Sequence, residues 1–402
     1  MGLSVCFLLG ELGPSGGVRA VVEHARRLAD RHGMTVALVV SETTDGTGVP
    51  GIESLSLPAA RGREWDVAVA TWWRTALDLF SIPARRRAYF VQQLDDRVYR
   101  PGEVERLGAA LTHDLPVAFV TEARWIADQL AELRADASCH HVPNGVDKSV
   151  FAPLDRTPAP DGPLRVTVEG SPHLWFKGVE DAARVLEHAT APLSATLVSP
   201  ERAGVEVSRA FHRVLGPLDH PAMAAVFDET DVVLKLSRVE GMFTPPLEAF
   251  HRGATCVVWP VTGHDDYVRH GLNGVVVDFD DIQGTAGWID LLHRDRGLLA
   301  RLRSGALDTA RAWPSWDEAG DRMAAALTAI SEASPPSVGA GAAALLADLD
   351  AGMEELRAGV LRREREAAQT RQAAEDWVAA IRSTRTFRVQ RLLSRLLASV
   401  RR

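Results

Sequence analysis

Two glutamates with seven residues between them, Glu240 and Glu248, are the residues of this 402-residue chain whose type and spacing most readily do chemistry. They bracket Gly241-Met242-Phe243-Thr244-Pro245-Pro246-Leu247, which lies between two hydrophobic runs, Asp231 to Leu236 and Ala254 to Trp259. The pattern predicts strand, loop, short helix, strand. Gly241 relaxes the loop backbone, and Pro245 and Pro246 suit a first helical turn, where a missing N–H leaves nothing unpaired. Glu248 is then expected in that first turn, at the positive end of the helix dipole. The prolines prevent one continuous helix from joining the two glutamates. Only a fold-back aims both carboxylates at one cleft, as α/β enzymes do beyond the carboxyl ends of their strands. A glutamate so placed also serves as a plain capping partner, but a capping box needs a hydroxyl three residues upstream and Thr244 is four away.

A second stretch with chemical potential is Gly10-Glu11-Leu12-Gly13-Pro14-Ser15-Gly16-Gly17. It follows the apolar run Ser4–Leu9 and precedes Val18, Val21, Val22, Ala25, Leu28 and Ala29 at helical spacing. Strand, glycine loop and helix can cradle an anion on backbone N–H groups. The loop matches neither the dinucleotide nor the Walker pattern, and a plain βα turn accounts for it as well. Asp278-Phe279-Asp280 has Asp-x-Asp spacing but reads as a polar loop after a late strand, so no metal site is expected. Cys6, Cys139 and Cys256 have no metal or redox spacing. They fit a reduced, cytoplasmic compartment.

The elements that must position these groups alternate between strand and helix. Strand-like runs occur at Ser4–Leu9, Thr35–Val40, Asp66–Ala70, Ala88–Val91 and Val117–Thr121, followed by a helix over Glu122–Leu133 and a turn at Pro143-Asn144-Gly145. After the proline-rich stretch 153–163 the pattern restarts. Strands are expected at Leu164–Val168, Ala195–Val198, Arg213–Leu215 and Gly274–Val277, with helices over Val179–His188 and from Asp219-His220-Pro221 to Phe227. The predicted fold is α/β, with two Rossmann-like domains facing a cleft, 1–155 and 156–333. The helix near 316–331, entered through Pro314-Ser315-Trp316, is free to pack back on the first domain. A linker and helical extension, 334–402, complete the chain.

Bulk properties bound the rest. Hydrophobic content of 46% and charged content of 24% are ordinary for a globular protein. A net charge of −8 argues against nucleic acid as a partner. No apolar run reaches the ~18 residues of a membrane span, and the start, lacking a basic segment, reads as a first strand and not a signal peptide. Leu349, Met353, Leu356 and Val360 keep heptad spacing that Arg363 and Thr370 then break. Residues 382–402 hold seven arginines and no acid among regularly spaced apolar residues. Such an end suits an anionic membrane surface or an acidic protein partner, and equally a helix packed on its own protein.

With these residues in view, the chain resembles the family-4 retaining glycosyltransferases of the GT-B fold over about residues 1–330. The likeness rests on Glu240 and Glu248 with Pro-Pro-Leu-Glu-Ala between strands, supported by Gly16-Gly17-Val18, Val142-Pro143-Asn144-Gly145-Val146-Asp147, Lys177-Gly178 and Gly271-Leu272-Asn273-Gly274. The resemblance implies a nucleotide-diphosphate-sugar donor and a carbohydrate, lipid-linked or small-molecule acceptor, with no further cofactor. It implies that Glu248 holds the ribose hydroxyls and that Glu240 lies beside the donor sugar. Lys177 would neutralise the leaving diphosphate, and Gly16 and Gly17 would close over it. Gly241 lies in the same donor-binding loop, and the N–H groups of Met242, Phe243 and Thr244 would face the diphosphate or the sugar. A front-face reaction without a protein nucleophile is implied, with a double-displacement pair of carboxylates as the competing idea.

Two departures from the family pattern stand out. No arginine lies between Arg165 and Lys177, where relatives carry a Gly-Arg pair. Where many relatives place a histidine after the strand Ala88–Val91, this chain reads Gln92-Gln93-Leu94-Asp95-Asp96, so Gln92, Gln93, Asp95 and Asp96 are the candidates for the acceptor or donor-sugar side. The function implied is a cytoplasmic or inner-membrane-peripheral glycosyltransferase of polysaccharide, glycoconjugate or natural-product assembly. A catalytically silent GT-B binding protein and a nucleotide-sugar epimerase are the alternatives.

Overall fold

The computed structural model describes residues 2–13, 15–41, 48–135, 137–156, 161–201, 204–334 and parts of 352–372. The chain divides into two compact units, 1–343 and 344–402. In the second unit the described residues are helical; Leu349, Met353, Leu356, Val360 and the arginine-rich end 382–402 lie outside the described residues. Within the first unit, seven strands form one sheet: β1 (Ser4–Leu9), β2 (Thr35–Val40), β3 (Glu53–Ser56), β4 (Trp65–Ala70), β5 (Ala84–Val91), β6 (Ala118–Thr121) and β7 (Cys139–His141). Six more form another: β8 (Leu164–Glu169), β9 (Leu193–Val198), β10 (Arg213–Leu215), β11 (Val232–Lys235), β12 (Thr255–Val258) and β13 (Val275–Val276).

The strand orders are β3-β2-β1-β4-β5-β6-β7 and β10-β9-β8-β11-β12-β13, and the pairings are parallel. Parallel strands are covered by helices on both faces, which explains their unbroken apolar runs. Val5 to Leu8 and Val232 to Leu234 are completely buried. In each sheet the order reverses once, between β1 and β4 and between β8 and β11. At such a switch point the flanking loops diverge and leave a crevice beyond the strand ends.

Several elements escaped the sequence reading for physical reasons. Strand β3 is a short edge strand of largely exposed, mostly polar residues, so it has no hydrophobic run to announce it. Strand β5 starts at Ala84 because Arg87 donates to the Leu79 and Ile82 carbonyls, which lets a charged segment enter the sheet. The helices Ile282–Arg294 and Arg296–Ala312 are each opened by an aspartate cap, Asp281 on Gly284 N–H and Asp295 on Leu298 N–H.

The helix Trp316–Glu332 opens on a capping box between Ser315 and Glu318. Its Met323, Leu327 and Ile330 belong to the core under the first sheet, and Arg27 and Arg31 pair with its Asp317. A Cβ at Gly145 would lie 2.3 Å from Trp316 N, so a glycine is needed where the chain from β7 passes the start of this helix.

Candidate active site

The loops that leave β8 and β11 meet at the second switch point. Gly178 has φ +64°, and a Cβ there would lie 1.9 Å from the Leu236 carbonyl oxygen. Glycine alone lets the loop lie this close to the exit of β11, and that approach puts Lys177 beside Glu240. Lys177 Nζ donates to Glu240 Oε1 at 2.9 Å and Oε2 at 3.0 Å. Glu240 is 6% exposed. Burial alone would push its carboxyl up, but Lys177 and Lys235 outweigh that and hold it below its ordinary value.

Lys235, the last residue of β11, is completely enclosed at its side chain. Its Nζ lies 2.8 Å from Glu169 Oε2, 3.1 Å from the Glu169 carbonyl oxygen and 3.5 Å from Glu240 Oε1. Burial would push this ammonium down; the two glutamates outweigh it and hold it above its ordinary value. Lys235 is inconspicuous in the sequence because it ends an otherwise apolar strand. The signal was there: a lysine in a strand buried on both faces demands an anion.

Glu248 is placed differently from expectation. The helix runs Thr244–His251 with Pro245 and Pro246 in its first turn and no acid there. Because the helix starts at Thr244, Glu248 is its fifth residue, one turn in. Its side chain is 13% exposed, with Oε1 3.9 Å from His220 Nε2. Burial pushes its carboxyl up to about 8, opposed by Arg19 on the helix Gly16–His32 of the first domain. Burial likewise pushes His220 down to about 4, so a neutral imidazole faces it.

Gly241 forms a seam with the first domain. A Cβ there would lie 1.7 Å from the Gln92 carbonyl oxygen and 2.8 Å from Glu122 Oε1. Trp125 Nε1 donates to the Gly241 carbonyl at 3.0 Å, and Met242 N–H donates to Glu122 Oε1 at 2.9 Å. Thr244 N–H donates to the Met242 carbonyl at 3.0 Å. Two of the three N–H groups expected to face a phosphate are therefore engaged within the protein. Gly17 packs on the other side of Gln92, its absent Cβ only 3.2 Å from Gln92 Oε1, whereas Gly16 faces open space. The structure thus gathers Gly17, Gln92 and Gly241 at one seam, and Lys177 with Glu240 at the switch point beside it.

Glu122 was expected to begin a helix. Instead the helix starts at Arg124, after an extended Ala123, and Glu122 prolongs the β6 exit into the seam. It also accepts from Asn144 Nδ2 at 2.6 Å. Burial pushes its carboxyl up to about 8, and the charge of Glu240 adds to this. A carboxyl ordinarily near 4.5 that holds its proton to about 8 only when folded makes stability fall as pH rises across that window. Glu122→Gln, with the Asn144 amide turned over, is expected to give a shallower decline between pH 5 and 8 in urea denaturation. Glu248 contributes the same sign, so the slope does not vanish; an unchanged slope would mean that Glu122 is ionised throughout.

The remaining candidates separate. Asp95 is buried and accepts from Trp73 N–H at 3.1 Å, Tyr89 Oη at 3.2 Å and Gln93 Nε2 at 3.4 Å. Its carboxyl, pushed up to about 6 by burial, is enclosed by these donors and braces the loop after β5. Gln93 serves the same brace, and Asp96 is half-buried beside it. Asp280 pairs with Arg238 at 2.5 Å, and among the described residues no three His, Cys, Asp or Glu side chains converge as a metal site would require.

Comparison with known proteins agrees with this layout. Residues 209–308, which contain both Glu240 and Glu248, match the family model "Glycosyl transferases group 1". The D-inositol 3-phosphate glycosyltransferase 1 of Catenulispora acidiphila is 31% identical over 237 residues, 50% of this chain and 54% of the relative, so the match spans about half that protein's length. The D-inositol 3-phosphate glycosyltransferase of Xylanimonas cellulosilytica is 25% identical across 77% of this chain and 91% of its own. Among solved structures, a sucrose-phosphate synthase from Thermosynechococcus elongatus superposes with TM-score 0.68 at 14% identity, covering 83% of this chain and 100% of that one. Anabaena HepE, solved with UDP and glucose, gives TM-score 0.65 at 17% identity over 81% and 100%. The fold is GT-B.

Proposed function

We propose that this GT-B chain is a retaining glycosyltransferase, of the family-4 kind, that moves a sugar from a nucleotide-diphosphate-sugar to a glycan, lipid-linked or small-molecule acceptor. The observation that carries the reading is the Lys177–Glu240 pair at the second switch point, one helix turn and a proline pair away from Glu248. The matched family region and relatives named as glycosyltransferases support it. In this reading the two carboxyl oxygens of Glu248 engage the vicinal ribose hydroxyls. Lys177 turns from Glu240 to the departing diphosphate, supplying a positive charge where the transition state needs it. Glu240 lies against the donor sugar. Gly16 and Gly17 close over the diphosphate from the first domain, and Gln92 borders the sugar or the acceptor.

Gly241, Met242, Phe243 and Thr244 form the loop beneath the donor. Its engagement with Glu122 and Trp125 sets the distance between the two domains. Charge neutralisation falls to Lys177 and not to a cation held by Asp278 and Asp280, since Asp280 is paired with Arg238. Cysteine usage and the 382–402 end support work in the cytoplasm or at the inner face of the membrane.

Glu248→Ala is expected to weaken UDP binding about 10- to 100-fold, the loss of two hydrogen bonds at about 0.5–1.5 kcal/mol each. Calorimetric titration reads this directly, and an unchanged Kd removes Glu248 from the nucleotide site. The reaction itself is tested by mass spectrometry and anomeric NMR on UDP-, GDP- and ADP-hexoses with and without inositol phosphates, the acceptor class in the relatives' names. An acceptor-dependent product with the donor's anomeric configuration is expected. A donor altered without acceptor points to an epimerase, and inverted product contradicts retention.

A further inference from the structure

The side chains at the end of β11 form a four-membered charge cluster whose inner member has no counterpart in the donor-site roles above. Glu240 is clamped between two ammonium groups, Lys177 at 2.9 and 3.0 Å and Lys235 at 3.5 Å. Lys235 is tied in turn to Glu169 by a carboxylate contact at 2.8 Å and a carbonyl contact at 3.1 Å. The two lysines differ in access. Lys177 has a side chain 25% exposed at the cleft, whereas that of Lys235 is 0% exposed. One can swing to a ligand and the other cannot.

This asymmetry has a consequence for any anion that enters. If Lys177 leaves Glu240 for a diphosphate, Glu240 becomes a buried carboxylate stripped of its closest cation, an arrangement that ordinarily ends in protonation. Two neighbours display that outcome: Glu122 and Glu248, buried without a lysine in contact, have carboxyls pushed up to about 8. The groups facing Glu240 are Lys177 from the loop after β8, Lys235 and Ser237 from β11 and its exit, Glu122 from the first domain, and the buried phenol of Tyr267. Of these, only Lys235 is a cation that stays when Lys177 moves.

We propose that Lys235 is a positioning residue that holds Glu240 in place as a carboxylate while Lys177 is handed from Glu240 to the leaving diphosphate. The inference rests on the reading of the cleft as a nucleotide-sugar donor site. Lys235 touches neither donor nor acceptor; it acts through Glu240, and Glu169 anchors it from β8. The chain thereby places a permanent cation under the site on β11, in a molecule that has no arginine between Arg165 and Lys177.

The test is proton linkage to UDP binding, measured at pH 7.5 by calorimetric titration in buffers of different ionisation enthalpy. Wild type keeps Glu240 ionised throughout, so its proton count sets the baseline. In Lys235→Met, departure of Lys177 leaves Glu240 without a cation, and binding is expected to take up as much as about one additional proton per UDP. Lys235→Arg should return the count to baseline, and Lys235→Met with Glu240→Gln should abolish the extra uptake. If Lys235→Met does not fold, Lys235→Gln makes the same comparison. Equal proton counts in wild type and the uncharged variants, with UDP bound in each, overturn the role of Lys235 while leaving the donor site standing. No UDP, GDP or ADP binding to wild type overturns the donor site and this inference with it. A uniform loss of affinity without extra proton uptake assigns Lys235 a merely structural part and also overturns it.

Discussion

Lys177→Ala is expected to reduce turnover at saturating donor by about 100- to 1000-fold while changing donor affinity far less, the signature of a contact that strengthens only as charge develops. The geometry makes this variant informative. Removing Lys177 strips Glu240 of its contacts at 2.9 and 3.0 Å, yet Lys235 remains 3.5 Å away, so the buried carboxylate keeps a cation and the domain keeps its fold. Single-turnover rates with a nucleotide-sugar donor, alongside the melting temperature, separate the chemical step from stability. Turnover equal to wild type removes the leaving-group role from Lys177.

Gly241→Ala should be among the most damaging single-methyl changes in the described residues. The added carbon would lie 1.7 Å from the Gln92 carbonyl oxygen, a backbone atom that cannot rotate away, and 2.8 Å from Glu122 Oε1. Either the loop after β11 or the exit of β5 must shift, which breaks the Trp125–Gly241 and Glu122–Met242 hydrogen bonds across the seam. Overpacking of this kind costs about 1–3 kcal/mol. Transfer should fall more steeply than stability, by about 100-fold or more, because a displacement of about 1 Å is enough to misalign reacting groups. Gly287→Ala is the control. A Cβ there, on the exposed face of the helix Ile282–Arg294, meets nothing within 4 Å, and the variant should match wild type in activity with no loss of melting temperature. If both variants behave alike, the seam does not set the geometry of the site.

The sequence carried the architecture well because parallel strands covered on both faces are unbroken apolar runs. Ser4–Leu9 and Thr35–Val40 emerge with the ends expected of them. Lys177 and Glu240 were legible as types and as motif members, but not as an ion pair. Their meeting depends on Gly178 passing the Leu236 carbonyl, a contact between segments some sixty residues apart in the chain. Lys235 and Glu122 were hidden for opposite reasons. The first looked like the polar end of a strand and the second like the first residue of a helix, and each is held by a partner from a distant element. Asp95 shows the converse: its loop position suggested reactivity, whereas three hydrogen bonds make it a brace. Glu248 lies one residue further into the helix than the prolines suggest, because prolines mark where a helix can begin, while the residue that actually opens it, Thr244, precedes them.

The most direct measurement of the central claim is the melting temperature of the full chain with UDP, GDP, ADP, CDP and dTDP in turn. A ligand that binds only the folded state at about 100 times its Kd adds about 2.7 kcal/mol of stability. At least one of the five is expected to raise the melting temperature of wild type, and Glu248→Ala to abolish most of that rise. A flat response to all five at millimolar concentration would contradict this, because a cleft built around Glu248, Lys177 and Glu240 would then hold no nucleotide.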